Sequence, residues 1–197
     1  IMKIANSLKK TAAAAVAAAV VTAALPLSGL SAAAENEFDP NNVVLRFGVM
    51  SDIHQSYAEY SVDTIKDATL KYTNSVAELN ALSGNQLDAL LLCGDYTCTG
   101  QEVQAETFAS SSKAIVDAIN AGKADGEKTK FIMTYGNHDT EWPGQMNYTE
   151  WETVLDKYGL LNDVEKGPDL SGCYKTTIEK DGKTYHFISL ETETYNN

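Results

Sequence analysis

Cysteine and histidine are both scarce in this sequence, with three residues of each among 197. The cysteines are an odd number, so at most one disulfide can form. They include no CxxC motif, and no basic residue neighbours Cys93 or Cys98, which disfavours a thiol nucleophile or a cysteine-ligated metal site. Cys93 ends an apolar run and is predicted to be a small buried hydrophobe, whereas Cys173 lies in a later segment.

Basic residues are also in the minority, with 15 Lys and Arg against 27 Asp and Glu. Three of the lysines and none of the acids precede residue 35, so the rest of the chain carries 12 basic and 27 acidic residues, a net charge of −15. Such a surface repels polyanions, which argues against nucleic-acid binding through a basic face. A small phosphorylated substrate would have to be attracted locally, most simply by bound cations.

The N-terminal segment has the features of a signal peptide. Lysines within residues 2–10 precede an uncharged, alanine-rich run at 11–25, and Ala32 and Ala34 fit a cleavage site before Glu35. A transmembrane anchor is the alternative, but Pro26 and Gly29 break the run and alanine is weakly apolar. We therefore predict export to a secreted, periplasmic or cell-surface location, without a stable membrane anchor. The expected division is a signal peptide at 1–34, a linker at 35–42 and one domain at 43–197.

Within that domain, short apolar runs alternate with longer helical patterns. Strands are predicted at 43–50, 87–93 and 130–135, with helices at 61–82 and 102–120 between them. In the first helix, Tyr72, Val76 and Leu82 recur at helical spacing and are predicted to lie on its apolar face. This alternation is typical of a parallel sheet with crossover helices. A short helix at 151–158 and two further strands follow, at 173–179 and 184–190, joined by a hairpin turn at Asp181-Gly182.

Each of the three parallel strands is followed by a polar cluster. The clusters are Ser51-Asp52-Ile53-His54, Gly94-Asp95 and Gly136-Asn137-His138-Asp139. Because the carboxyl ends of parallel strands share one edge of the sheet, these side chains are expected to meet there. Imidazole, carboxylate and amide ligands suit divalent manganese, iron or zinc, and a carboxylate can bridge two such ions. His138 would be free to act as an acid, oriented by Asp139 or another carboxylate.

The three clusters and the strands before them resemble the first three blocks of the calcineurin-like metallophosphoesterases. The matching runs are residues 47–54, 91–95 and 135–139, and the resemblance covers about residues 43–191. It implies a four-layer α/β/β/α sandwich and a centre with two divalent metal ions. In that centre Asp52 and His54 bind the first ion, Asp95 bridges, and Asn137 binds the second. His138 would protonate the leaving group, with Asp139 holding it.

The sequence also departs from the family pattern, which continues with a further metal-binding histidine and a Gly-His-x-His block. The third histidine, His186, falls inside a predicted strand and is interpreted as a structural residue. We therefore expect a chain that is cut short at its C-terminus, has an incomplete fold and is inactive by itself. Ile1 before Met2 is interpreted as translation read in from upstream of the true start.

Three functions are compatible with the sequence of the domain. The leading one is hydrolysis of phosphomonoesters or phosphodiesters through the dinuclear centre. The alternatives are a non-catalytic binding module that keeps the fold without its metals, and an exported α/β domain with incidental polar loops. Four aromatic residues are candidates for a rim around the site: Tyr57, Tyr60, Trp142 and Tyr148.

Overall fold

The computed structural model describes residues 42–55, 62–140, 143–168 and 172–192, and of residues 62–67 the backbone alone. The predicted signal peptide, and all of the predicted linker except Asn42, lie outside these ranges. The described residues from Val43 onward belong to one compact unit. Within the described part of the chain, no helix is both long and apolar enough to cross a membrane.

A parallel sheet of three strands forms the centre of this unit. The strands are β1 (Phe47–Met50), β2 (Ala89–Cys93) and β3 (Lys130–Thr134), in the order β1-β2-β3. Their register pairs Val49 with Leu91 and Leu91 with Ile132, so all three carboxyl ends reach the same edge. The predicted parallel sheet is confirmed, although β1 is shorter than expected.

Helices connect the strands along one face of this sheet. Helix α1 (Val62–Leu82) joins β1 to β2, and α2 (Glu102–Asn120) leads towards β3, with a single 3-10 turn at Asp125–Glu127. A four-residue helix, α3 (Asn137–Thr140), follows β3 directly, and α4 (Tyr148–Lys157) comes next. α2 contacts both α1 and α4.

Helix α4 begins three residues earlier than predicted because it has a complete capping box. The Asn147 side chain accepts a hydrogen bond from the Glu150 backbone N–H at 3.0 Å, and the Glu150 carboxylate accepts one from the Asn147 N–H at 2.8 Å. Two N–H groups that the helix would leave unpaired are satisfied in this way. The added turn carries Tyr148.

The side chains of the parallel sheet alternate between two apolar clusters, as the strand geometry requires. Leu90 and Leu92 belong to the large core beneath the helices, together with Val76 of α1 and Phe108 of α2. Ala89 and Ile132 point the other way and pack in a smaller cluster with Ile178. The sheet is therefore covered on both faces, as a parallel sheet generally is.

An antiparallel sheet provides the second cover. It consists of β4 (Val164–Lys166), β5 (Tyr174–Lys180) and β6 (Lys183–Ser189), in that order, and β4 was not predicted. Asp181 and Gly182 have φ values of 52° and 69°, which fits the predicted tight hairpin. Helices, a parallel sheet and an antiparallel sheet confirm the mixed α/β fold class, and they are three of the four expected layers.

Three sequence-based expectations about burial were wrong. Cys93 is exposed rather than buried, because it is the last residue of β2 and lies outside the small cluster that covers Leu91. Leu82, predicted on the apolar face of α1, is also exposed. Tyr148 is buried against Tyr135, with ring centroids 5.2 Å apart, and does not contribute to an exposed rim. The other three rim candidates lie outside the described residues. None of the three cysteines, all of which the structure describes, is in a disulfide.

Candidate metal centre

The segment after β1 continues the parallel pairing beyond the strand ends. The backbone N–H of Asp52 donates to the carbonyl of Gly94 at 3.1 Å, and that of His54 donates to the carbonyl of Asp95 at 3.0 Å. The next residue, Gln55, is fully buried, and its amide donates to Ser111 Oγ of α2 at 2.6 Å. These bonds hold the first two polar clusters side by side and fasten the first one to the helical layer.

Asp52, His54 and Asp95 all adopt a left-handed backbone conformation. Their φ values are 54°, 43° and 54°, in a region that residues other than glycine seldom occupy. Such strain persists only where the surrounding structure imposes it, and it concentrates at functional sites. The three residues that the sequence predicts to bind the first ion are thus also the strained residues at this sheet edge.

The side chains of these three residues converge. One ligand atom from each lies within 4.8 Å of the other two. His54 Nε2 is 3.9 Å from Asp52 Oδ1 and 4.0 Å from Asp95 Oδ2. Separations of about 4 Å are those that an ion shared by His54 and either carboxylate would span with bond lengths of about 2.0–2.2 Å. Two carboxylates and one imidazole therefore fit the first predicted metal site, both in geometry and in ligand chemistry.

The second oxygen of Asp95 points to the cluster after β3. Asp95 Oδ1 accepts a hydrogen bond from the backbone N–H of His138 at 3.1 Å, while Oδ2 is the atom near His54. The Asp95 carboxylate is thus shared between the first and third clusters, which is the placement that a bridging ligand needs. Asn137 precedes His138 at the start of α3, and its role as a ligand of a second ion stays a prediction.

The rings of His54 and His138 pack against each other and have similar partners. Their centroids are 4.9 Å apart and the rings are nearly perpendicular, at 89°. His54 Nδ1 lies 3.1 Å from the carbonyl oxygen of Thr97, and His138 Nδ1 lies 2.8 Å from that of Cys98. The predicted ligand and the predicted acid are therefore neighbours and are held by consecutive residues.

The family model for calcineurin-like phosphoesterases matches residues 45–196 of the chain. The chain belongs to the calcineurin-like phosphoesterase family. The match spans all three polar clusters, in agreement with the resemblance inferred from their motifs. Hydrolysis of phosphoester bonds is the general activity of this family, which typically uses a dinuclear metal centre. Comparison with curated proteins gave no match.

In this family member, Asp139 has a different set of partners from the one the resemblance implied. Its carboxylate accepts hydrogen bonds from the backbone N–H groups of Gly136, Tyr96 and Thr97 at 3.1, 3.4 and 3.1 Å. The Thr97 hydroxyl donates to it as well, at 3.0 Å. Asp139 thus joins the second and third clusters, and the ring of His138 is held at Nδ1 by a carbonyl.

Burial raises the pKa of Asp139 to about 6, against the opposing effect of hydrogen bonds from Gly136 and Thr97. The side chain has 0% exposure, so the carboxylate is poorly solvated when it is charged. Four donors stabilise the charged form and keep this pKa below neutral pH. At neutral pH Asp139 is therefore mainly a buried anion surrounded by N–H and O–H donors.

A cluster of buried aromatic residues packs next to the candidate metal centre. Tyr96 directly follows Asp95, is completely buried, and stacks on Phe108 with ring centroids 4.4 Å apart. Its hydroxyl donates to the carbonyl of Leu92 at 2.8 Å and accepts from the Thr134 N–H at 3.0 Å. The indole N–H of Trp151 donates to the carbonyl of Asp139 at 3.1 Å. These contacts fix the backbone on both sides of the ligand residues.

The sequence motifs did not identify Gln55, Tyr96, Thr97 or Cys98 as part of this site. Each follows a predicted ligand within three positions, and that proximity was the available signal. Their partners are distant in sequence, however: Thr97 contacts Asp139, and Gln55 contacts Ser111. Pairings of this kind depend on the packed fold and have no local sequence pattern.

Proposed function

We propose that this chain is an exported, metal-dependent phosphoesterase that hydrolyses phosphomonoesters or phosphodiesters through a dinuclear centre. The observation that carries the proposal is the convergence of Asp52, His54 and Asp95 at the carboxyl edge of a parallel sheet. Membership of the calcineurin-like family supports the reaction class.

Each side chain has a distinct task in this proposal. Asp52 and His54 would hold one ion, Asp95 would be shared by both ions, and Asn137 would contribute to the second. When bound, divalent ions polarise a phosphoryl oxygen and lower the pKa of a water molecule. His138 would give a proton to the departing oxygen from Nε2, because its Nδ1 is engaged with the carbonyl of Cys98.

The described residues supply ligands unequally to the two ions. The only group of three or more acidic, histidine or cysteine ligands among them is Asp52, His54 and Asp95. His186, as predicted, lies in the middle of β6, where Thr177 contacts its ring. We therefore propose that the isolated chain holds one ion weakly and that its hydrolytic activity is weak. Manganese, iron and zinc all fit the ligand set.

The proposed setting is extracellular or periplasmic, and the proposed substrate is a small phosphorylated molecule. Export rests on the basic and alanine-rich N-terminal sequence with Ala32 and Ala34 at the expected cleavage site. The strongly acidic composition argues against nucleic acid as the substrate. An anionic substrate would then depend on the bound cations to offset this charge.

A non-catalytic binding module is the competing function, and metal binding separates the two. The test is calorimetric titration of the purified chain with Mn²⁺, followed by assay of p-nitrophenyl phosphate and its diester at saturating metal. We expect about one ion per chain and a slow, metal-dependent release of p-nitrophenol. Asp52→Ala should abolish both signals. The control is Asp117→Asn, which changes an exposed aspartate paired with Lys113 on α2.

Failure to bind metal would reject the proposed centre and favour the binding module. Metal binding without any metal-dependent turnover would assign a binding role to the chain by itself. Equal loss in Asp52→Ala and Asp117→Asn would show that the effect is one of general stability and would remove Asp52 from the site.

A further inference from the structure

Two consecutive backbone carbonyls hold the two histidines of the centre. The carbonyl of Thr97 lies 3.1 Å from His54 Nδ1, and that of Cys98 lies 2.8 Å from His138 Nδ1. The two rings come from different polar clusters, after β1 and after β3, whereas both carbonyls belong to the segment after β2. The segment after β2 therefore controls both rings at once.

These contacts determine which ring nitrogen carries the proton. A carbonyl oxygen can only accept, so each of these two hydrogen bonds requires a proton on Nδ1. Cys98 Sγ also lies 3.5 Å from His54 Nδ1, but the Thr97 carbonyl is the nearer partner, at 3.1 Å. In the neutral ring, Nε2 then has a free lone pair. For His54 this is the atom that lies near Asp52 and Asp95, where a metal ligand must present a lone pair. The same tautomer places the lone pair of His138 on Nε2.

A buried carboxylate fixes the segment that carries the two carbonyls. Asp139 Oδ1 accepts from the Thr97 N–H at 3.1 Å and from the Thr97 hydroxyl at 3.0 Å, and both residues have 0% exposure. Asp139 Oδ2 accepts from the Gly136 N–H at 3.1 Å. The two carboxylate oxygens of Asp139 therefore connect the backbone around Thr97 to the start of the segment that carries His138.

We propose that Asp139 is a positioning residue that acts through Thr97 and Cys98 to fix the tautomer and ring orientation of both His54 and His138. Its carboxylate bonds to Gly136, Tyr96 and Thr97. The proposal rests on the proposed function for the roles of the two histidines as ligand and acid. The tautomers themselves are properties of the chain without metal or substrate, so they can be measured whether or not it hydrolyses phosphoesters.

The direct test is two-bond ¹H–¹⁵N correlation NMR of the ¹⁵N-histidine-labelled chain without metal, at a pH where the rings are neutral. We expect His54 and His138 to show the pattern of a single tautomer protonated at Nδ1. Asp139→Asn replaces an acceptor oxygen with an NH₂ group that faces N–H donors. At least one of the two rings should then show a mixture of tautomers. His186 in β6 is the internal reference and should be unchanged.

Metal affinity provides a second readout. Loss of a group that orients a metal-ligating histidine typically costs about 10- to 100-fold in affinity. The dissociation constant of Mn²⁺ should therefore rise by about 10-fold or more in Asp139→Asn. Thr97→Val, which removes the hydroxyl donor but keeps the N–H, should give a smaller rise. Thr97→Ser keeps both donors and should retain the affinity and the tautomers of the unmodified chain.

The outcomes separate positioning from general stability. Unchanged tautomers of both rings in Asp139→Asn would overturn the proposal, even if Mn²⁺ bound more weakly. If Asp139→Asn does not fold, the comparison of Thr97→Val with Thr97→Ser decides: a tautomer change in the valine variant alone supports the proposal, and no difference between them overturns it. Absence of hydrolysis in every variant would count against the proposed function and leave the result on the tautomers intact.

Discussion

Gly136 lies directly against the backbone of Asp95, so closely that a Cβ atom at position 136 would be 2.6 Å from the Asp95 nitrogen. The converse holds at Gly94, where a Cβ atom would be 2.8 Å from the Gly136 nitrogen. Gly94 also has a φ of +83°, which favours glycine independently. The second and third polar clusters therefore meet backbone to backbone, and this contact brings the Asp95 carboxylate to the N–H of His138.

The first prediction concerns this contact. Gly136→Ala should separate the two clusters, because the added methyl group meets backbone atoms of Asp95 that cannot rotate away. We expect the affinity for Mn²⁺ to fall at least 10-fold and the free energy of unfolding to fall by about 1–3 kcal/mol. Calorimetric titration and chemical denaturation measure the two effects.

The matched control is Gly126→Ala, in the 3-10 turn, where an added Cβ atom meets nothing within 4 Å. It should leave both quantities nearly unchanged. Full retention of metal affinity in Gly136→Ala would show that the backbone contact with Asp95 is not needed for the site.

The parallel strands and the convergence of Asp52, His54 and Asp95 could be predicted from the sequence because local patterns encode both. Asp52, Asp95 and Asn137 each come two residues after an apolar run of strand length. Because the carboxyl ends of parallel strands share one edge of the sheet, these residues are expected to meet. The contacts between Thr97 and Asp139 could not be predicted in this way. Their hydrogen bonds join residues 42 positions apart, and which buried donor meets which acceptor depends on the packed fold.

Burial at the ends of elements was also hard to predict. Periodicity correctly placed Tyr72 and Val76 of α1 in the core, but the same period assigned Leu82 to the buried face and it is exposed. Leu82 is the last residue of its helix, and Cys93 is the last residue of its strand. A periodic pattern carries no information on where the covering layer stops.

The second prediction concerns the dependence of stability on pH. Burial raises the pKa of Asp139 from 3.8 to about 6 in the folded chain. The unfolded chain loses this proton first, so the contribution of the neutral group to stability is complete below pH 3.8 and is lost as pH rises to about 6. The shift corresponds to about 3 kcal/mol at most.

Asp139→Asn is neutral at every pH and lacks this change. The free energy of unfolding of the unmodified chain minus that of the variant should therefore decrease between pH 3.5 and pH 7. Urea denaturation of both chains at several pH values measures the difference, in which the contributions of other groups cancel. A difference that increases with pH would mean that the hydrogen bonds to Asp139 outweigh its burial.

The third prediction concerns an apolar surface on β1. Phe47 and Val49 are 52% and 54% exposed. Both lie on the face of the parallel sheet that packs against β5 and β6, beside Ala89 and Leu91 of β2. Exposed apolar strand faces bind hydrophobic dyes and promote association. The double change Phe47→Thr and Val49→Thr should lower dye fluorescence and aggregation while retaining the preference for a strand.

Leu82→Gln is the control, since Leu82 is 78% exposed at the end of a helix and lies outside this surface. It should change dye binding little. Equal reductions in the two variants would mean that the dye reports exposed apolar residues in general and not the surface of β1.

The last prediction separates the roles of Asp95 and His138. Asp95→Ala removes a carboxylate whose two oxygens lie near His54 and at the N–H of His138. Metal content and hydrolysis of an aryl phosphate should be lost together. His138→Ala should leave the metal in place, because the atoms near the ion come from Asp52, His54 and Asp95. What it removes is proton donation, which is typically worth about 10²- to 10⁴-fold in rate.

The identity of the substrate should then distinguish the two variants. p-Nitrophenolate leaves readily without a proton, so His138→Ala should affect p-nitrophenyl phosphate much less than an alkyl phosphate, whose oxygen requires protonation. Asp95→Ala should reduce both rates to the same extent, since it removes the ion on which both reactions depend. The measurement pairs metal analysis of each variant with its rate on the two substrates. Equal losses on both substrates in His138→Ala, or loss of metal from it, would exclude His138 as the acid and make it part of the metal site.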